Sequence, residues 1–111
     1  MTLTADQRAT LWVAALNVQD RDAFVSDWAT SSLFLDPAST VPIPDDLVQT
    51  VGLVWDAAHR SISDIRATTG LSQSRFAALY GIPRRTYQNW EIGRGCPDYL
   101  RLLLQVDLGL L

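Results

Sequence analysis

Three glycines divide the C-terminal half of the chain into short segments. Gly70, Gly81 and Gly93 stand eleven and twelve residues apart, and each follows a stretch with apolar residues at helical spacing. A glycine in this position is typical of the left-handed residue just past the end of a helix. The pattern therefore predicts a series of short helices joined by tight turns.

The segments before, between and after these glycines each begin with residues typical of a helix start. Ser61 with Asp64 resembles an N-terminal cap, and the next helix opens at Ser72 and Gln73. Pro83 presets the backbone for a helix over about 84–92, and Pro97 begins a leucine-rich helix that runs to about residue 106. These signals predict four helices in this half.

The N-terminal half predicts three further helices, which makes the expected fold class all-α. A capping box at Thr4 and Gln7 begins the first, which we expect to end near Gln19. The second covers about 21–30, an irregular connection with three prolines follows over 31–44, and the third runs from about 45 to 60. Large aromatic residues at helical spacing in these segments predict a core: Trp12, Phe24, Trp28, Phe34 and Trp55.

Composition and residue usage exclude several classes of protein. The 111 residues are 48% hydrophobic, which is too apolar for a disordered chain. The longest apolar run, 11–16, is far shorter than the ~20 residues of a membrane span, and no signal peptide is visible, so we expect a cytoplasmic protein with no membrane partner. With one cysteine and one histidine, we expect no metal, no cofactor and no enzymatic activity.

Charge is distributed unevenly between the two halves. Residues 1–58 hold two arginines against eight aspartates, a net charge of −6, whereas residues 59–111 hold seven arginines against four acidic residues, a net charge of +3. Such an asymmetry points to a segment that faces nucleic acid. We therefore expect two regions: an acidic N-terminal helical region over 1–58, and a DNA-binding domain over 59–111.

Two of the short helices are predicted to form a helix-turn-helix, with Gly81 in the turn. The second of them carries arginine and amide side chains at its N-terminal and outward positions, which are the residue types that read base edges in the major groove. These residues are Arg84, Arg85, Gln88 and Asn89. Gln73 and backbone amides at the start of the preceding helix are expected to contact phosphate.

Several spaced elements in one register resemble the Cro/CI-type (XRE) helix-turn-helix family over about residues 61–108. They are Gly70-Leu71-Ser72-Gln73, Phe76-Ala77, Tyr80-Gly81-Ile82-Pro83, Arg85-Thr86, Asn89-Trp90-Glu91 and Gly93-Arg94. The resemblance implies a lambda-repressor-like domain that binds double-stranded DNA, preceded here by an N-terminal helical segment. Pro83 departs from the family pattern, because it replaces the usual Ser or Thr cap.

The resemblance also implies roles for individual residues. Gln73 would touch phosphate, Arg84, Arg85 and Gln88 would face bases, and Thr86 would offer its methyl or hydroxyl group. Asn89 would flank these residues, and Arg94 is expected to be either a surface residue or a peripheral phosphate contact. Glu91 would pair with Arg66, and breaking such a buried pair typically costs ~3–5 kcal/mol. Independent support comes from the sequence, in which Glu91 is the only glutamate.

The C-terminal leucines predict a last helix with two apolar faces. Leu100, Leu103 and Leu104 are expected on one face of the last helix, with Leu102 and Val106 on another. A helix that is apolar on two sides needs two partners, and the second is either the N-terminal helices or another subunit. A homodimer would match a palindromic DNA site.

Three functions remain open at this point. The first is a small prokaryotic or phage transcriptional repressor that binds a specific duplex sequence. The second is an antitoxin-like protein, in which residues 1–58 bind a basic partner while the helix-turn-helix regulates its own operon. The third is an enzyme with Asp20, Asp22 and Asp27 in its site, although these residues fit a solvated helix start better.

Overall fold

The computed structural model describes residues 1–36, 38, 42–93 and 95–111. These ranges hold seven α-helices and no β-strand, which confirms the all-α class. The helices are α1 (Ala5–Leu16), α2 (Arg21–Ala29), α3 (Asp45–Ala58), α4 (Ile62–Ala67), α5 (Gln73–Leu79), α6 (Arg84–Glu91) and α7 (Asp98–Asp107). None of these helices combines the length and apolar character that a membrane span requires.

The described residues form two compact units, which we call the N-terminal unit (Met1–His59, with Leu111) and the C-terminal unit (Arg60–Leu110). In the N-terminal unit, α1 and α2 both pack against α3. Apolar side chains repeat along each helix at a spacing of three or four residues, so that each helix has one buried face. The buried apolar side chains are those of Leu11, Trp12, Ala15, Phe24, Ala29, Leu47, Val51, Val54, Ala57 and Ala58.

The first helix begins as expected and ends earlier than expected. The Thr4 hydroxyl accepts from the Gln7 amide at 3.1 Å while the Gln7 side chain accepts from the Thr4 amide at 3.0 Å, which confirms the capping box. The helix ends at Leu16 rather than near Gln19. The amides of Asn17 and Val18 turn back to carbonyls three residues earlier, and the chain then reaches Asp20 in extended backbone.

Aspartates at the start of α2 serve the helix itself. Asp20 is the N-cap, and its carboxylate accepts from the amide of Ala23 at 3.2 Å. Asp22 lies in the first turn, where a negative charge interacts favourably with the helix dipole. A solvated helix start therefore accounts for both residues, and Asp27 is exposed further along the same helix.

The predicted aromatic core is confirmed in part. Trp12 and Phe24 are buried, whereas Trp28, Phe34 and Trp55 are only partly buried. Trp55 has a polar role that keeps it at the edge of the core, because its indole Nε1 donates to the carbonyl of Val18 at 2.9 Å. Its ring also stacks on that of His59, with centroids 4.1 Å apart.

The C-terminal unit encloses its own small core. The buried apolar residues come from all four helices and are Ile62, Ile65, Phe76, Ala77, Tyr87 and Leu104. The Ser61 and Ser72 hydroxyls cap α4 and α5 by accepting from Asp64 and Arg75 amides. Pro83 and Pro97 precede α6 and α7, which have no side-chain cap.

The last helix packs against the core with two of the three leucines that were expected on one face. Leu104 is 3% exposed and Leu100 packs against the core, but Leu103 is 58% exposed, so the expected grouping of these three leucines was wrong. Leu103 lies about 100° around the helix from Leu104, which turns it away from the core. The buried polar residue of this helix, Gln105, accepts from Arg60 Nη1 at 2.6 Å and donates to the carbonyl of Arg101 at 3.1 Å.

Candidate nucleic-acid interface

A tight turn joins α5 to α6. Gly81 has a φ of +66°, which a residue with a side chain adopts only with strain. The amides of Gly81 and Ile82 donate to the carbonyls of Ala78 and Ala77 at 3.2 and 2.9 Å, so the end of α5 is closed by hydrogen bonds. Ala77 is 1% exposed, and its small side chain lets the two helices approach each other closely.

Aromatic packing holds the inner side of α6. Tyr87 is fully buried, and its ring lies 5.4 Å from that of Phe76 on α5. Trp90 follows three residues later and meets Tyr87 edge to face at 6.3 Å. Because these rings contact the core from one side of the helix, they fix which side of α6 points outward.

The outward side of α6 carries the side chains that could read bases. A helix turns by about 100° per residue, so Arg85 and Asn89 both point about 160° away from Tyr87. Both are exposed, as is Arg84. Arg84 and the partly buried Gln88 lie on the flank that also holds Glu91, and the partly buried Thr86 lies on the opposite flank, on the side of Trp90.

The arginines of the C-terminal unit fall into two groups. Arg60, Arg66 and Arg101 donate hydrogen bonds within the unit. In contrast, Arg75, Arg84 and Arg85 are exposed and make no hydrogen bond or ion pair with any other residue in the described ranges. Arg94, which we expected beside them, lies outside the described residues. The solvent-facing positive charge of α6 is therefore at its N-terminal end.

A cluster of polar side chains around Glu91 links α4, α5 and α6. The Glu91 side chain is only 9% exposed, and its Oε1 accepts from Arg66 Nε at 2.6 Å and from the Tyr87 hydroxyl at 2.5 Å. Its Oε2 accepts from Gln73 Nε2 at 2.5 Å. Arg66 Nη1 also donates to the carbonyl of Leu71, just before α5, at 3.0 Å. We call these four side chains (Arg66, Gln73, Tyr87, Glu91) the Glu91 cluster.

The surroundings of Glu91 favour its charged form. Burial by itself acts to raise the pKa of Glu91, but hydrogen bonds from Arg66, Tyr87 and Gln73 outweigh it, and the pKa lies below its ordinary value of 4.5. The hydrogen bond to Glu91 is also the main reason that the pKa of Arg66 is raised. The cluster is thus an ionised pair with two neutral donors.

Two members of this cluster were not predicted from the sequence. Gln73 was expected to contact phosphate alone, and no polar contact was predicted for Tyr87, although both donate to Glu91. For Tyr87 a signal was present, since a tyrosine four residues before a glutamate on one helix can bring its hydroxyl to the carboxylate. The contact of Gln73 joins residues on different helices, and no local pattern shows it.

Comparison with known proteins identifies this part of the chain. A family model described as Helix-turn-helix matches residues 62–107, which run from the first residue of α4 to the last residue of α7. The match confirms, for these residues, the Cro/CI-type (XRE) helix-turn-helix domain indicated by the sequence, and a domain of this kind indicates a DNA-binding regulator. A search of curated proteins and a search of solved structures each found no match.

Proposed function

We propose that this protein is a sequence-specific binder of duplex DNA that represses transcription by occupying its site. The observation that carries the proposal is the outward side of α6, where Arg84 and Arg85 are exposed and have no partner among the described residues. Arginine recognises guanine through two parallel hydrogen bonds, and an unpaired guanidinium gives up no internal contact to do so.

The proposed roles follow the position of each side chain on α6. Arg85 and Asn89 point directly away from the core and enter the major groove, and Arg84 and Gln88 read bases from the flank nearer α5. Thr86 contacts a base methyl group or the backbone from the other flank. Gln73 and Arg94 contact phosphates, which set the position of α6 but do not read sequence.

We further propose that the protein binds as a homodimer through α7. Tyr99 and Leu103 are four residues apart on this helix and are 67% and 58% exposed. Large apolar side chains at this spacing form one face, and covering that face with the same face of a second copy would give a two-fold dimer. A dimer of this kind would select a palindromic site.

The experiment that tests the proposal is a selection of random duplexes by the purified full chain at two salt concentrations, followed by sequencing. A palindrome would support the dimeric regulator, and a single unrepeated half-site would support DNA binding and contradict the dimer. Loss of enrichment with Arg85→Ala, but not with Arg8→Ala in the N-terminal unit, would assign binding to α6. No enrichment at either salt concentration would contradict the proposed function.

A second candidate function is that of an antitoxin-like protein whose N-terminal unit binds a basic protein. The charge of this region favours it: residues 1–58 carry a net −6, and Asp20, Asp22, Asp45 and Asp46 are exposed. Complementary charge accelerates and orients association. Co-expression with the product of the adjacent gene tests this function, which would be supported by a salt-sensitive complex lost on deletion of residues 1–58.

A further inference from the structure

Gln73 and Glu91 are joined by a hydrogen bond between α5 and α6, with the amide Nε2 of Gln73 donating to Oε2 of Glu91. From this contact we infer that Glu91 is a positioning residue for DNA binding, which holds the Gln73 amide so that its second N–H faces a backbone phosphate. The inference rests on the proposed function, because it assigns a role to Glu91 in a contact that only bound DNA would complete.

The carboxylate that holds Gln73 is itself fixed. Its other oxygen accepts from Arg66 Nε at 2.6 Å and from the Tyr87 hydroxyl at 2.5 Å, and the whole side chain is 9% exposed. Arg66 is held in turn by the carbonyl of Leu71. With donors on both oxygens, Glu91 has no freedom to rotate, and Gln73 therefore meets an acceptor at a constant position.

The orientation of a glutamine amide decides whether it attracts or repels a phosphate. The two ends of the amide have nearly the same shape, but one is an acceptor and the other carries two N–H donors. A carboxylate accepts only, so Glu91 selects the orientation in which the nitrogen faces it. One N–H is then used by Glu91, and the second remains available to an anionic oxygen at the same edge of α5.

The charge of the cluster is suited to a phosphate nearby. An isolated carboxylate beneath Gln73 would repel the DNA backbone, but the Arg66 guanidinium lies 2.6 Å from it and balances its charge. A charged partner also strengthens a hydrogen bond relative to a neutral one. Glu91 can thus orient Gln73 firmly without adding net negative charge to the surface of the domain.

A double-mutant cycle tests the inference with the full chain and the duplex enriched in the selection. We expect Gln73→Ala to weaken binding by about tenfold to a hundredfold, which corresponds to one charge-assisted hydrogen bond. Glu91→Gln keeps an oxygen for Arg66 Nε, gives up the longer contact of 3.5 Å between Oε2 and Arg66 Nη2, and places an NH₂ group against Gln73, which turns the Gln73 amide over. In that background, we expect Gln73→Ala to change affinity by less than about twofold.

The control is Tyr87→Phe, which removes a donor from the other oxygen of Glu91 and leaves the contact with Gln73 in place. In this background Gln73→Ala should keep its full effect, even though the domain is less stable. An equal effect of Gln73→Ala in all three backgrounds would overturn the positioning role. If Gln73→Ala leaves DNA affinity unchanged while Arg85→Ala weakens it, the inference about Glu91 is wrong but the proposed function stands. If neither substitution changes DNA affinity, the proposed function is wrong as well.

The wild-type protein provides a second measurement that does not depend on how Glu91→Gln folds. In nitrogen-labelled protein, the two side-chain N–H protons of Gln73 should have widely separated chemical shifts, because only one of them is bound to a carboxylate. Adding the duplex should move mainly the other proton. Two protons with similar shifts, or a DNA-induced change confined to the proton bound to Glu91, would overturn the inference.

Discussion

The guanidinium group of Arg21 lies over Gly52, at the place where the Cβ of any other residue would stand. A Cβ built at Gly52 would come within 2.4 Å of Arg21 Nη2, and its three nearest atoms all belong to this guanidinium. From this position Arg21 donates to both carboxylate oxygens of Asp56, one turn further along α3, at 2.8 and 3.2 Å. Because Gly52 has no side chain, it leaves the space through which Arg21 on α2 reaches Asp56 on α3.

The effect of Gly52→Ala should depend on Arg21. In an Arg21→Ala background we expect the substitution to stabilise the N-terminal unit by about 1 kcal/mol, because alanine is the better helix former. With Arg21 present, the guanidinium must move and weaken its pair with Asp56, which offsets roughly 0.5 kcal/mol of that gain, since the pair is exposed. Urea unfolding of the four proteins measures both values. Equal gains in the two backgrounds would contradict this role of Gly52.

Substitution of Gly81, in the turn between α5 and α6, should change stability only through the backbone conformation. Gly81 has a φ of +66°, and a Cβ there would meet no atom within 4 Å beyond Gly81 and its two chain neighbours. Gly81→Ala should therefore destabilise the C-terminal unit by about 1–2 kcal/mol, the cost of the left-handed conformation. Gly81→Asn is the matched comparison and should cost less, since asparagine tolerates this conformation. If Gly81→Ala and Gly81→Asn lose the same stability in thermal unfolding, the left-handed conformation is not the cause of the loss.

Glu91 should make the C-terminal unit sensitive to acid. Burial acts against its charge, but hydrogen bonds from Arg66, Tyr87 and Gln73 prevail, so its pKa in the folded state is below 4.5. A depressed pKa stabilises the fold above the unfolded-state value, and this contribution is lost as the pH falls through the folded-state pKa. We expect the free energy of unfolding to decline as the pH is lowered below about 4.5.

Other carboxylates titrate in the same range, so the comparison must be made with Glu91→Gln. This variant should be less stable than the wild type at neutral pH, and the difference should shrink as the pH is lowered. Denaturant unfolding at a series of pH values gives the difference directly. A stability gap that stays constant from neutral to acidic pH would show that the ionised form of Glu91 does not stabilise the fold.

Tyr80 should make the same unit sensitive to alkali. Its hydroxyl donates to Asp107 at 2.7 Å, and burial, followed by this hydrogen bond, raises the pKa of Tyr80 to about 12. A raised pKa stabilises the fold below the unfolded-state value of 10.0 and the contribution is lost as the pH rises toward 12. Denaturant unfolding of Tyr80→Phe and of the wild type at a series of pH values over this range checks the prediction. The difference in their free energies of unfolding should shrink as the pH rises.

Local signals in the sequence predicted the helices of this protein and its helix-turn-helix. Caps such as Ser61 and Ser72 and the left-handed Gly70 and Gly81 act within a few residues, so their effect can be read directly from the chain. The end of α1 was placed too late, because apolar spacing continued past Leu16 and the competing turn at Asn17 has no strong sequence signature.

Apart from the pair of Arg66 and Glu91, which the family resemblance implied, the candidate site was predictable only where its residues share one helix. Spacing on α6 places Arg85 and Asn89 on the side opposite Tyr87, and this geometry needs no tertiary information. The contact between Gln73 and Glu91 depends instead on how α5 and α6 pack, as does the path of Arg21 over Gly52. Such contacts between distant segments were beyond the sequence because they follow from helix packing.

Arg85 provides the sharpest test of how the domain reads DNA. If its guanidinium binds a base, Arg85→Ala should weaken binding to the selected duplex by about 1–3 kcal/mol and relax the preference at one position. Arg85→Lys should also relax that preference, because an ammonium keeps the charge but lacks the two parallel donors.

Arg75→Ala is the matched control, since it removes another exposed arginine, on α5. We expect it to weaken binding to all sequences alike and to reduce the salt dependence, as the loss of a phosphate contact would. Repeating the duplex selection with the three variants, and titrating each at several salt concentrations, separates the two roles. Uniform weakening by Arg85→Ala with unchanged base preference would place Arg85 on the DNA backbone instead.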